Sequence, residues 1–136
     1  MITRNSAGHW KSLPAETATE IAPGMVVYRF AHSLYYANAD RLSDEVLAIA
    51  TKADPPVTWL CIEAAAIADV DYSAGQLLLE LHGELKERGV KIVLAEIAPE
   101  VRAELDTYGV TALVGEDAYY ETVEAAVAAF ERREGS

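Results

Sequence analysis

Three short β-rich runs, Met25–Phe30, Val57–Ile62 and Val90–Ala95, recur at nearly even spacing, and each gap between them holds a helical pattern. No other feature constrains the fold as much. A strand, a helix and a second strand of the same direction cross over right-handed and leave helices on the faces of a parallel sheet. Strands covered in this way read as continuous apolar runs, as Val57-Thr-Trp-Leu-Cys-Ile62 does. The 136 residues suit one such domain. The predicted fold class is α/β, a single domain over 15–132 with helices packed on its sheet, flanked by tails at 1–14 and 133–136.

Local signals place the elements. Met1–Pro14 lacks periodicity and reads as tail or linker. Ala15–Ala22 carries Thr17, Thr19 and Ile21 on alternate positions, the pattern of an edge strand, and Pro23-Gly24 is a turn. Asn38 is placed at a helix N-cap, ahead of Leu42, Val46, Leu47 and Ile49, and Asp54-Pro55-Pro56 closes that helix. After a loop over 63–72, Ser73-Ala-Gly-Gln76 matches a capping box, and Leu77, Leu78, Leu81 and Leu85 form a stripe that ends at Gly89. Pro99 opens a short helix that stops near Gly109. Val110–Val114 is predicted as a final strand and Tyr119–Arg132 as the last helix, with Val123, Ala126, Val127 and Phe130 buried.

Charge excludes several functions. Asp and Glu number 22 against 11 Lys and Arg, a net charge of -11, and DNA, RNA and anionic headgroups all require a basic surface. No nucleic-acid partner is expected. No apolar run reaches the ~20 residues that span a bilayer, and Met1–Lys11 has no apolar core of a signal peptide, so the expected location is cytoplasmic. One cysteine, Cys61, allows no internal disulfide, and its place in an apolar strand marks packing rather than a nucleophile. His9, His32 and His82 lack metal-site spacing, no phosphate-binding glycine motif occurs, and no acid–base or nucleophile constellation is visible. The expectation is a non-enzyme without a metal.

Chemistry concentrates in Ala68-Asp-Val-Asp-Tyr-Ser-Ala-Gly75, which leaves a buried strand and enters a helix. A helix N-terminus offers unbonded N–H groups and a partial positive charge, so a phosphate or other anion is favoured there. Ser73 has two roles open to it. As the cap alone, its replacement by alanine costs about 1 kcal/mol; as a phosphate acceptor, it would carry new charge beside Asp69 and Asp71. The ligand or phosphorylation candidates are Asp69, Asp71, Tyr72, Ser73, Ala74 and Gly75, and Tyr36, Asn38 and Asp40 are candidates for a partner surface. Asp69 with Asp71 is also a weak magnesium pair.

Two segments look familiar together. Pro23-Gly-Met-Val-Val-Tyr-Arg-Phe30 followed by Leu34-Tyr-Tyr-Ala-Asn-Ala-Asp40, and Asp69-Val-Asp-Tyr-Ser-Ala74 followed by Gly89-Val-Lys-Ile-Val-Leu-Ala95, resemble the STAS domain of SulP-type (sulfate permease) anion transporters over about Pro23–Glu131. The resemblance implies an α/β fold with four to five helices. It implies a cytoplasmic regulatory module at the inner face of the membrane, whose partners are the membrane domain of the same chain and a cytoplasmic protein. A guanine nucleotide is the ligand it suggests, although no base-reading motif stands here. Met1–Ala22 would then be a linker plus first strand. The fold is shared with anti-sigma factor antagonists, in which a serine of an Asp-Ser-Ser-Gly-type loop is phosphorylated. Ser73 holds the matching place, but Tyr72-Ser73-Ala74 departs from that pattern. The alternative reading is therefore a free-standing antagonist-like switch set by Ser73 phosphorylation.

Overall fold

A computed structural model describes residues 3–4, 10–11, 18–30, 33–52 and 57–135. Two-residue strands β1 (Thr3–Arg4) and β2 (Trp10–Lys11) pair antiparallel inside the segment read as a tail. The remainder of that segment, His9, His32 and Asp54-Pro55-Pro56 lie outside the described residues.

The main sheet follows the β-rich runs. It comprises β3 (Ala18–Ala22), β4 (Met25–Arg29), β5 (Trp59–Glu63), β6 (Lys91–Ala95) and β7 (Tyr119–Tyr120), side by side in that order. β3 runs antiparallel to β4 across the Pro23-Gly24 turn, where Gly24 takes φ 92°, a region open chiefly to glycine. The other neighbours are parallel. Their connections are helical: α1 (Tyr36–Lys52) leads to β5, α2 (Tyr72–Glu87) to β6, and α3 (Pro99–Thr107) with α4 (Val110–Val114) towards β7. α5 (Val123–Gly135) ends the described chain.

Alternation along each strand divides the core in two. Val26 and Tyr28 of β4, Leu60 and Ile62 of β5, and Ile92 and Leu94 of β6 face α1 to α4, where Leu42, Ile49, Leu78, Leu81 and Leu105 are buried against them. Met25, Trp59, Cys61, Val93 and Ala95 face the other way and are covered by Ala126 and Phe130 of α5. Phe130 meets Trp59 edge to face at 5.5 Å, a favourable arrangement of two ring quadrupoles.

Two predictions fail at the C-terminal end. Val110–Val114 is a helix and not a strand. A short β-branched run has no periodicity that separates the two states, and here Gly109 in the left-handed region (φ 88°) turns the chain so that Val110 and Thr111 bury against the neighbouring helices. The place beside β6 goes instead to Tyr119–Tyr120, predicted as the first turn of the last helix. That helix starts later because Thr122 caps it: its Oγ1 accepts from the N–H of Ala125 at 3.0 Å. Asn38 is also displaced from its predicted role. α1 opens at Tyr36, so Asn38 sits in the first turn, where its Nδ2 donates to the carbonyl of Ser33 at 3.0 Å.

Candidate functional site

β5 ends at Glu63, and the loop after it crosses the carboxyl edge of the sheet before α2 begins. Main-chain pairing fixes this loop. Leu34, just before α1, donates its N–H to the carbonyl of Asp69 at 2.8 Å and accepts from the N–H of Asp71 at 3.0 Å, a short parallel bridge between Leu34 and Val70. Leu34 and Val70 are both buried, so each ties its loop to the core.

The cap of α2 is Asp71, not Ser73. The Asp71 backbone is extended and its Oδ1 accepts from the N–H of Ala74 at 2.8 Å. The capping-box reading of Ser73 and Gln76 is thereby overturned. Aspartate and serine are equally good caps, and the bond from Asp71 N–H to Leu34, between segments far apart in sequence, selects the earlier one. Ser73 lies in the first helical turn and is exposed, as is Tyr72, at 63%. Ala74 and Gly75 are buried. A Cβ on Gly75 would stand 2.8 Å from Cδ2 and 2.9 Å from Cβ of Tyr108, so glycine is what lets α3 and its following turn approach α2.

Three residues outside the loop complete the site, and two of them carry no local sign in the sequence. Tyr35 donates its hydroxyl to Asp69 Oδ2 at 3.0 Å. Glu104 of α3 takes the N–H of Val70 at 3.1 Å, which Asp69 Oδ1 shares at 3.0 Å. Tyr108 meets Tyr72 edge to face at 5.8 Å and directs its hydroxyl to the carbonyl of Val70 at 3.4 Å. Glu104 and Tyr108 lie more than 30 residues from the loop, beyond the reach of any spacing rule. The two carboxyls are pushed in opposite directions: desolvation, then the neighbouring Asp69, raises the Glu104 carboxyl, while Glu104 and Tyr35 hold Asp69 low. The bond to Asp69 raises the Tyr35 hydroxyl in turn.

The exposed face of the site is thus Tyr35, Tyr72 and Ser73, with Asp69 half-buried. Of the partner-surface candidates, Asp40 is exposed on α1, Asn38 is half-buried and tied to Ser33, and Tyr36 opens the helix, its side chain outside the described residues. Of the weak magnesium pair, both Asp69 oxygens and Asp71 Oδ1 already serve Tyr35, Val70 and Ala74. Among the described residues no cluster of three His, Cys, Asp or Glu is placed to hold a metal. Cys61 is buried, and desolvation pushes its thiol up to about 12, far from a reactive thiolate. Glu116, Asp117, Glu121 and Glu124 are exposed, with Glu116 reaching Arg102 at 3.4 Å.

The STAS domain family model matches residues 16–126, most of the chain. The chain belongs to the STAS domain family. Among its relatives, a probable sulfate transporter of Mycobacterium tuberculosis is 32% identical over 111 residues, which is 82% of this chain and 20% of that protein. The solved SulP transporter STAS domain from Vibrio cholerae superposes with a TM-score of 0.70 at 21% identity, covering 86% of this chain and 89% of that one. The unphosphorylated anti-sigma factor antagonist SpoIIAA superposes with a TM-score of 0.67 at 18% identity, covering 88% and 96%. Both structures share the fold. The STAS domain spans about a fifth of the length of the curated relatives it matches, and among its described residues no helix is long and apolar enough to cross a membrane.

Proposed function

We propose that this STAS domain is the cytoplasmic regulatory module of a SulP-type transporter of sulfate or a related anion, held at the inner face of the membrane beside the membrane domain of the same protein. It acts through contacts and not by catalysis. The observation that carries the reading is the exposed start of α2: Ser73 and Tyr72 face solvent, while Asp71 supplies the cap and the Leu34–Val70 bridge holds the loop. A surface that is rigid beneath and replaceable on top suits docking. Likeness to a probable sulfate transporter over 82% of the chain supports the choice of partner.

Charge at this surface is the regulatory variable. The N–H groups of Tyr72 and Ser73 remain at the helix start as donors to an anion, whether a phosphate or the phosphates of a guanine nucleotide. Asp69 and Asp71 flank them, so an added phosphate brings strong repulsion as well as new bonds and shifts which contacts are favoured. The test is uptake of labelled sulfate by cells expressing the complete transporter with Ser73→Glu or Ser73→Ala. Altered uptake with Ser73→Glu at equal surface expression is expected; uptake equal to the parent for both variants overturns the reading.

The exposed Ser73 hydroxyl also favours a second reading, a free-standing antagonist-like switch in which phosphorylation of Ser73 ends binding to an anti-sigma factor. In-frame DNA upstream of the Met1 codon separates the two. Apolar spans of ~20 residues support the transporter; a stop codon followed by a ribosome-binding site supports the switch.

A further inference from the structure

At the other end of α2, away from Ser73, lies a cleft of about 360 Å³ lined by His82, Lys86, Gly89, Val90, Lys91, Ile92, Leu113 and Val114. His82 and Lys86 follow the start of α2 at Tyr72 by roughly 15–21 Å of helix, at about 1.5 Å per residue, which sets the cleft apart from the loop before α2. Its origin is in the sheet. β7 pairs only with Leu94 and Ala95, so the first half of β6 has no strand on that side, and the segment that could have supplied one is helix α4. Val90 and Ile92 are buried in the floor, whereas Leu113 is 49% exposed on the rim.

Lys86 and Lys91 line this cleft and no carboxylate does, although Glu84 and Glu87 are exposed on the same stretch of α2. Arg29, Arg41 and Arg102 each lie beside a carboxylate. Lys86, Arg88 and Lys91 stand within six residues of one another, and among the described residues none of them forms an ion pair. Lys86 is not needed to satisfy the end of α2, since the N–H groups of Arg88, Gly89 and Val90 already bond the carbonyls of Leu85 and Lys86. The Lys91 ammonium sits 4.9 Å over the Trp59 ring and guards the open edge of β6 against a further strand.

We propose that this cleft binds a small organic anion, a phosphate or carboxylate on an apolar body, with Lys86 as the counter-ion, His82 as a hydrogen-bond partner, and Val90, Ile92, Leu113 and Val114 holding the apolar part. The volume falls in the range of small-molecule sites. Three basic residues on a chain of net charge -11 are fewer than an anionic membrane surface requires.

The test is an amide-shift NMR titration of the 136-residue chain with 1-naphthyl phosphate, compared with 1-naphthol, inorganic phosphate and phosphatidylserine vesicles. Saturable shifts confined to residues 82–92 and 110–114 are expected, weakened about tenfold by Lys86→Met, the effect of losing one charge-assisted bond. Leu113→Glu, an exposed substitution compatible with folding, should weaken binding similarly by placing a carboxylate on the rim. Four results would overturn the proposal: no saturation by about 5 mM, beyond which affinity is negligible; shifts centred on residues 69–75; binding unchanged in both folded variants; or binding to the vesicles alone.

Discussion

Replacing Asp71 tests how α2 begins. Asp71→Ala removes the acceptor for the Ala74 N–H, a bond of 2.8 Å at a half-buried position. Loss of an N-cap side chain costs about 1 kcal/mol, within a range of roughly 0.5–2. For a domain of this size that is a fall in Tm of about 3–4 °C. Asp71→Asn keeps an acceptor and gives up only the interaction of a full charge with the helix dipole, so it should lose less than half as much. Ser73→Ala, at an exposed position that caps nothing, should stay within about 0.5 kcal/mol of the parent. Urea unfolding followed by circular dichroism measures all three. If Ser73→Ala proved the damaging variant and Asp71→Ala left the midpoint in place, the cap assignment and the view of Ser73 as a side chain spare to the fold would both be wrong.

Gly75→Ala should destabilise by about 1–3 kcal/mol, because its Cβ meets the Cβ and ring of Tyr108 below 3.0 Å and the nearby backbone must shift; a midpoint equal to the parent in urea refutes this. The Glu104 carboxyl is raised above its ordinary 4.5, so its contribution is complete at low pH and is lost as pH rises through the folded value, while that of Asp69, held below 3.8, is lost as pH falls. Glu104→Gln should flatten the decline in Tm above about pH 4.5, and superimposable Tm-against-pH curves would count against the raised Glu104 carboxyl. Iodoacetamide at pH 8 should leave Cys61 unmodified in the native protein and label it in urea; equal labelling rates would show the strand opening readily.

The parallel core was legible because its evidence is local and repeated. Each apolar run stands between turn signals, and α2 carries its leucine stripe in full view. The errors fall where tertiary contact decides between local options of similar merit. Asp71 and Ser73 each suit a cap, and the bond to Leu34 chooses. Val110–Val114 suits a strand by composition, yet the sheet edge beside β6 is taken over two residues by Tyr119 and Tyr120. The loop before α2 could be found from its helix start and paired aspartates. Glu104 and Tyr108, which tie it to α3, could not, since nothing near them in sequence requires a carboxylate or a phenol.

The bridge between Leu34 and Val70 is made wholly of main-chain atoms. Its hydrogen bonds do not depend on which side chains surround it, and the two side chains it does require point inward. Exposed positions 68 and 73 can therefore be rewritten without loosening the frame that presents them. Recognition and architecture are separable here, so related domains can acquire new partners by surface substitution alone while the shape offered to those partners stays the same.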